Sequence, residues 1–590
     1  MSGRRLAPLL VSLLVPLAGC DRPTQEATQE QRPAPQVEPL EPAEPAAPAE
    51  PTPPPPEPAG LVVEVPGPGP GEPPPDFGSV KPPLPVPAAA ELTVHALAGF
   101  EVVAVYASPD LTSPRLGYLR IGSRTMVTPK VDDRGTGCED GFHGLPAGGF
   151  SCAGKGLIID PDKPPYMYMP PPPPRRDAPI PYEYGVVSAD GTPMWWRIPD
   201  AEEVMLAGQR YRAVVAAQEA AAASAPVKPE TKPRPKPTTP GTPPSSEPAA
   251  PEPPPVPELP GIADLDAPPP VELTADEKAE IARREAAAKK RAEARKKEQA
   301  EKDRALARKR ARLPLNSQTP FMEAGFVVTL GSKIRQQGQQ WWKTTRGGFI
   351  PANRTYRKET RDFHGGAIPE AGRVAFGFVM SETAAASIRN DKGSLQWKRK
   401  LAERELLAFA EEVEVGGRPY LVTPEGLYVR KGDLRLARIA TRPPEAQPWE
   451  RWIDVDLELQ LLVAYEGDIP VYATLVSSGK RGNAEESFLT PTGKFRVTAK
   501  HISSSMDGNT ASDGRYSIQD VPWSMFFHGN YALHGAFWHS KFGERRSHGC
   551  VNLGPTDARW LFFWTTPFVP DGWHGVNAHD GAPGSMVVIH

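Results

Sequence analysis

From Trp452 the chain alternates with a period of two: Ile453, Val455, Leu457 and Leu459 interleave with Asp454, Asp456, Glu458 and Gln460. That pattern predicts a strand with one face buried and one face wet. Residues 471–477 and 494–497 read as further strands, 557–564 as a short helix, and 587–589 as a closing strand. Upstream, short apolar runs at 101–106, 115–121 and 156–159 are separated by Gly, Pro and Asp, which predicts a small β-domain over 91–215. Residues 316–446 have globular composition again. There, 341–350 and 420–429 share an aromatic-x(2)-Thr-x(2)-Gly-aliphatic pattern, the mark of a divergent internal repeat. With no Pro-rich spacer before residue 449, this region is expected to pack against the C-terminal domain and to shape its groove.

Residues 272–312 break the β pattern. They are rich in Ala, Glu, Lys and Arg without Gly or Pro, and Thr274-Ala275-Asp276-Glu277 resembles a capping-box start. Apolar residues larger than Ala are too sparse for a heptad seam, so a long solvated helix is expected. Its basic excess fits either a stiff charged spacer or attraction to an anionic polymer or lipid headgroups. The chain's 75 prolines concentrate elsewhere. Residues 21–88 and 225–270 are dominated by Pro, Ala and Glu and cannot bury enough apolar surface to offset chain entropy. They read as a disordered tether and an interdomain linker. At about 3.1 Å per residue the tether reaches on the order of 200 Å if fully extended. A formal charge of −3 over 590 residues gives no sign of a nucleic-acid partner.

The densest chemistry lies near the C-terminus, in Ser547-His548-Gly549-Cys550-Val551-Asn552, with His534 thirteen residues before Ser547. A thiol with an ordinary pKa near 8.5 is mostly protonated at neutral pH, so a nucleophilic Cys550 needs a base or a cation nearby. Histidine suits that task near pH 7. Gly549 lets the backbone approach a carbonyl closely, where main-chain N–H groups stabilise an oxyanion. Two other readings exist for these residues. A lone Cys is commonly a small buried hydrophobe and a lone His a structural one. Zinc could draw on His528, His534, His539, His548 and Cys550, but the stretch offers one thiolate and no CxxC or HExxH spacing.

The stretch 531–553 resembles the signature of L,D-transpeptidases: a His-Gly pair, a loop of about a dozen residues, then Ser/Thr-His-Gly-Cys-hydrophobic-Asn/Arg. Thr490-Pro491-Thr492-Gly493-Lys494-Phe495 resembles the family's second hallmark, a Thr-Pro-x-Gly turn leading into a strand. The resemblance covers 449–590 and implies a β-rich catalytic domain that needs no cofactor and no metal. It implies Cys550 as nucleophile, His534 as general base oriented by the Gly535 carbonyl, and His548 with the Gly549 and Cys550 amides around the oxyanion. Ser547 and Asn552 would brace the loop, and Arg545 and Arg546 would meet a stem-peptide carboxylate or stay solvated. Phe537-Trp538-His539 stand where the family also carries small polar residues, so the resemblance does not fix the shape of the acceptor or lid side. The implied reaction is attack by Cys550 on a peptidoglycan tetrapeptide, release of D-Ala, and a 3→3 cross-link. Carboxypeptidase action, protein attachment and a silent wall-binding scaffold are the alternatives.

Residues 1–20 read as a targeting segment: Arg4-Arg5, an apolar run from Leu9 to Leu17, then Leu17-Ala18-Gly19-Cys20. The run is too short for a permanent span of a bilayer about 30 Å thick. The last four residues resemble a bacterial lipobox with Cys20 acylated, the other reading being a plain secretory signal. The expected location is a bacterial membrane facing the periplasm or cell wall, with stem peptides and that membrane as partners. Of four cysteines, Cys138 and Cys152 remain, and in an exported chain they are expected to form a disulfide. The run Val105-Tyr106-Ala107-Ser108-Pro109 with Gly117-Tyr118-Leu119 resembles a bacterial SH3-like domain. The sequence therefore predicts a multidomain, mainly β chain: leader 1–20, tether 21–88, SH3-like 91–215, linker 225–270, charged helix 272–312, β-rich accessory region 316–446 and catalytic domain 449–590.

Overall fold

The computed structural model describes residues 86–131, 137–224, 275–317, 319–360, 363–370, 375–482, 487–508 and 516–590. Cys20, the leader, nearly all of the tether and the 225–270 linker lie outside the described residues. The described part is mainly β. Its C-terminal region holds a six-stranded sheet in the order Gly366–Ala367, Ile469–Leu475, Leu461–Glu466, Arg451–Asp456, Met586–Ile589, Gly493–Arg496. Arg451–Asp456 runs parallel to Met586–Ile589 and antiparallel to Leu461–Glu466.

The period-two expectation at 452–460 needs two corrections. The strand ends at Asp456, and 457–460 form a turn closed by backbone amides of Glu458 and Leu459 donating to Asp456 Oδ1 at 2.9 and 2.8 Å. Both faces of the strand are also buried, Asp454 and Asp456 included. Ile453 and Val455 enter one core with Trp523, Leu533, Val551 and Phe562. Trp452 turns to a second core with Tyr465, Phe376 and Phe378. Asp454 tolerates this because His590 Nε2 lies 3.1 Å from its carboxylate.

Upstream of residue 449 one strand arrangement occurs three times. Val94–Ala98 pairs antiparallel with Arg124–Val127 and Leu157–Asp160. Glu183–Val187 does the same with Val327–Gln336 and Thr355–Arg357, and Ala375–Val379 with Leu406–Phe409 and Leu434–Leu436. Before the last strand of each set comes a hairpin and a 3₁₀ turn: Ala153–Lys155, Ala352–Arg354 and Lys431–Asp433. The hairpin turns match bond for bond. Gly148, Gly347 and Gly426 donate to the carbonyls of Leu145, Thr344 and Thr423, each with φ between 82 and 87°. Phe142, Trp341 and Tyr420 occupy the same place in the three copies, so the repeat read at 341–350 and 420–429 has a third member.

Glu183–Val187, within the 91–215 segment, thus completes a unit with strands of the 316–446 segment. The charged helix, Ala275–Ala311, and a second helix, Ala201–Ser224, are inserted between the Thr192–Pro193 and Phe321–Met322 strands of that middle unit. The β pattern does not predict the helix Ala201–Ser224. It starts with a reciprocal cap: Glu203 N donates to Asp200 Oδ1 and Asp200 N to Glu203 Oε2, at 2.8 and 2.9 Å.

The first two units extend the sheet that carries the cysteine. In the first unit, Gly117 and Tyr118 face Val576 and Gly575, and in the middle unit Val327 pairs parallel with Ile518. One buried carboxylate ties them. Asp520 accepts from Arg120 at 2.6 and 2.8 Å, from Thr329 and Thr345 at 2.8 Å, and from Ser503 at 3.0 Å. The third unit supports the far side of the site, where Arg435 donates to the carbonyls of Leu459 and Gly543 at 3.0 and 2.9 Å.

Candidate active site

His534 and Cys550 are brought together by strand register. Tyr531–Gly535 and Val551–Leu553 pair in parallel, with Leu533 opposite Val551 and His534 opposite Asn552. Alternation along the strand puts Cys550 on the same face as Asn552, and therefore on the face of His534. Both line a cavity of about 920 Å³ together with Asn552, Ser547, His548 and Arg546. Cys550 is partly exposed, and its Sγ lies 3.8 Å from the Asn530 carbonyl oxygen.

The cysteine loop is held by a relay of short bonds. The Ser547 hydroxyl donates to the Cys550 carbonyl, and the Gly549 amide donates to Ser547 Oγ at 3.1 Å. The amides of Arg546 and Ser547 donate to the Ser478 carbonyl at 2.8 and 3.0 Å. The adjacent Gly479 amide donates to Thr490 Oγ1 at 2.8 Å. Thr490, the first residue of the Thr-Pro-x-Gly turn, therefore fixes the shelf on which the cysteine loop rests. Gly549 has φ +115°, and a Cβ there would sit 2.3 Å from the Tyr531 ring, so only glycine fits.

Burial sets the electrostatics. It pushes the Cys550 thiol up to about 11, opposed in part by the Ala532 amide, and pulls the His534 imidazole down to about 4, opposed in part by the Gly535 carbonyl. His534 Nδ1 lies 3.3 Å from that carbonyl oxygen, which favours the proton on Nδ1 and leaves Nε2 to accept one. The pair is neutral at pH 7. An uncharged imidazole with a free Nε2 is able to accept a proton, and an uncharged thiol is able to give one.

The other residues take distinct places. His548 stacks on Tyr516 and meets Phe488 edge-on, at ring separations of 4.8 and 4.5 Å. Asn552 is 3.0 Å from His539 Nε2. Arg546 reaches the cavity wall and pairs with Glu544, whereas Arg545 is outside it and donates to the Leu457 carbonyl at 2.9 Å. Gly535 follows His534 in the strand and lines no part of the cavity. The Gly549 amide is directed to Ser547 rather than to open cavity. Trp538 stacks on His534 at 5.7 Å, a contact the aromatic run only hints at. Cys138 and Cys152 are bonded, with Cα atoms 5.9 Å apart. Among the described residues no three of His, Cys, Asp and Glu converge as a metal ligand set.

Residues 450–589 match the family model of the YkuD L,D-transpeptidase catalytic domain. Over 129 residues the chain is 25% identical to the "Putative L,D-transpeptidase YciB" of Bacillus subtilis (strain 168), covering 20% of this chain and 63% of that protein. The chain thus spans a little under two thirds of that relative. Among solved structures, an L,D-transpeptidase (residues 123–326) from Xylanimonas cellulosilytica is 24% identical, covers 25% of this chain and 64% of its own, and has a TM-score of 0.18. The catalytic domain of the E. faecium L,D-transpeptidase is also 24% identical, over 24% of this chain and 98% of its own, with a TM-score of 0.18.

Proposed function

We propose that the chain is a peptidoglycan L,D-transpeptidase that forms 3→3 cross-links through a thioester on Cys550. The observation that carries this reading is the parallel register that puts His534 and Cys550 on one face of one cavity. The Cys550 sulfur attacks the amide carbonyl of an L-configured centre in a tetrapeptide stem, while His534 takes the thiol proton. The C–N bond breaks, that proton passes to the departing nitrogen, and D-Ala leaves. A side-chain amine of a second stem then attacks the thioester, an amide forms, and the proton lost by the amine restores the thiol. Water in place of the amine gives carboxypeptidase action.

The same reading places the chain outside the cytoplasm, anchored through lipid on Cys20. A disulfide at Cys138–Cys152 accords with an oxidising compartment. The three repeated units read as SH3-like modules. The test is muropeptide analysis with purified full-length protein. Wild type yields new dimers, Cys550→Ala yields none, and His534→Ala slows them by about 10²- to 10⁴-fold. Undiminished dimers with Cys550→Ala would refute the assignment.

A further inference from the structure

Among the aromatic residues that follow Gly535, His539 makes a contact that the transpeptidase reading does not use. Its Nε2 lies 3.0 Å from the Asn552 side-chain amide, and the Lys541 backbone amide meets its Nδ1 at 3.3 Å. Phe542 and Trp538 flank the ring, at centroid separations of 5.0 and 6.2 Å. Both His539 and Asn552 line the cavity of Cys550.

Hydrogen-bond chemistry places the protons in this contact. A backbone N–H only donates, so His539 Nδ1 accepts from Lys541 and carries no proton. Burial, aided by the charge of Arg546, holds the imidazole down at about 4, so at pH 7 it has one N–H, on Nε2. That N–H needs an acceptor, and of the two ends of the Asn552 amide only the oxygen is one. The oxygen therefore faces His539. The NH2 takes the other end, which no group among the described residues bonds. The Asn552 backbone is already satisfied, since its N–H and C=O bond the C=O and N–H of Ser477, both at 2.9 Å. Only the side chain is left to meet a ligand.

Strand register puts that side chain beside the chemistry. Asn552 stands opposite His534 in the parallel pair, two residues from Cys550 and on the same face. A stem peptide presented to the sulfur runs past Asn552 with an acceptor carbonyl at every residue. We propose that His539 is a positioning residue, whose Nε2–H turns the Asn552 amide so that the NH2 donates to a carbonyl oxygen of the donor stem beside Cys550. The inference rests on the transpeptidase reading and adds to it a substrate contact and the residue that aims it.

The test follows acylation of Cys550 by a tetrapeptide donor in the full chain, by intact mass. Beside it runs the reaction of Cys550 with methyl methanethiosulfonate, a reagent without a carbonyl. His539→Phe keeps a ring beside Phe542 but has no N–H. It should lower the second-order rate of acylation about tenfold to a hundredfold and leave the thiosulfonate rate unchanged. His539→Gln carries an N–H on a side chain of similar reach and should restore most of the rate. Asn552→Asp keeps an oxygen for His539 but loses the donor, so it should lose at least as much as His539→Phe. In an Asn552→Ala background, His539→Phe should cost little more. Wild-type acylation in His539→Phe or in Asn552→Asp overturns the proposal. So do additive losses in the double variant, or an equal fall in the thiosulfonate rate, which would make His539 a support of the cysteine loop. A wild-type protein whose Cys550 reacts with the thiosulfonate but is never acylated removes the transpeptidase reading itself, and this inference with it.

Discussion

In the cavity that Cys550 and His534 share, burial raises the thiol to about 11 and lowers the imidazole to about 4, so both are uncharged between those limits. The thiolate fraction then falls tenfold for each pH unit below the thiol pKa, to about 10⁻⁴ at pH 7. Alkylation of Cys550 by iodoacetamide should therefore be slow at neutral pH and keep rising through pH 9 to 10. A plateau below pH 7 would instead mean a preformed thiolate–imidazolium pair. Gly549 offers a second test, because its φ of +115° and the Tyr531 ring both exclude a side chain. Gly549→Ala should cost about 1–3 kcal/mol in thermal unfolding and, by shifting the sulfur, roughly 10²-fold in kcat. Wild-type kinetics in this variant would show that the loop geometry is not critical.

The Thr490 turn acts on the site without entering it, by holding Gly479 beneath Ser547. Thr490→Val orphans the buried Gly479 amide and should destabilise the fold by about 1–3 kcal/mol in urea unfolding, while Thr490→Ser retains the bond and most of the stability. Equal losses in the two variants would assign the effect to packing rather than to the hydroxyl. Such elements differ in how far local sequence reveals them. The strands read at 471–477 and 587–589 and the helix read at 557–564 fall on Ile469–Leu475, Met586–Ile589 and Pro555–Trp564, legible because one face or a run of apolar residues marks each. The helix Ala201–Ser224 escapes a reading based on alternation, although Asp200 and Glu203 carry its capping signal. The burial of the second strand face is not legible at all: Trp452 packs there in one core with Phe376 and Phe378, more than seventy residues upstream. The same holds for Tyr516 and Phe488 around His548, and for Arg545, whose partner is the Leu457 carbonyl.

At the scale of the molecule, the buried carboxylate of Asp520 ties the first two units to the C-terminal sheet. Burial alone would raise its carboxyl, but Arg120 and Arg346 outweigh that effect and hold it well below the ordinary carboxylate range. A depressed folded-state pKa contributes stability that is present above the unfolded value near 3.8 and lost as pH falls below it. Asp520→Ala strands the buried Arg120 and should cost about 3–5 kcal/mol at pH 7 in urea unfolding, with the gap to wild type narrowing below about pH 4. A constant gap across that range would mean the carboxylate charge is not what joins the units. The central claim is chemical, and mass spectrometry of the full-length protein quenched in acid after brief exposure to a tetrapeptide stem tests it most directly. The account predicts an adduct of the stem minus its terminal D-Ala on the peptide containing Cys550, absent in Cys550→Ala. An unmodified Cys550 in a protein that still forms dimers, or an adduct on another residue, would contradict it.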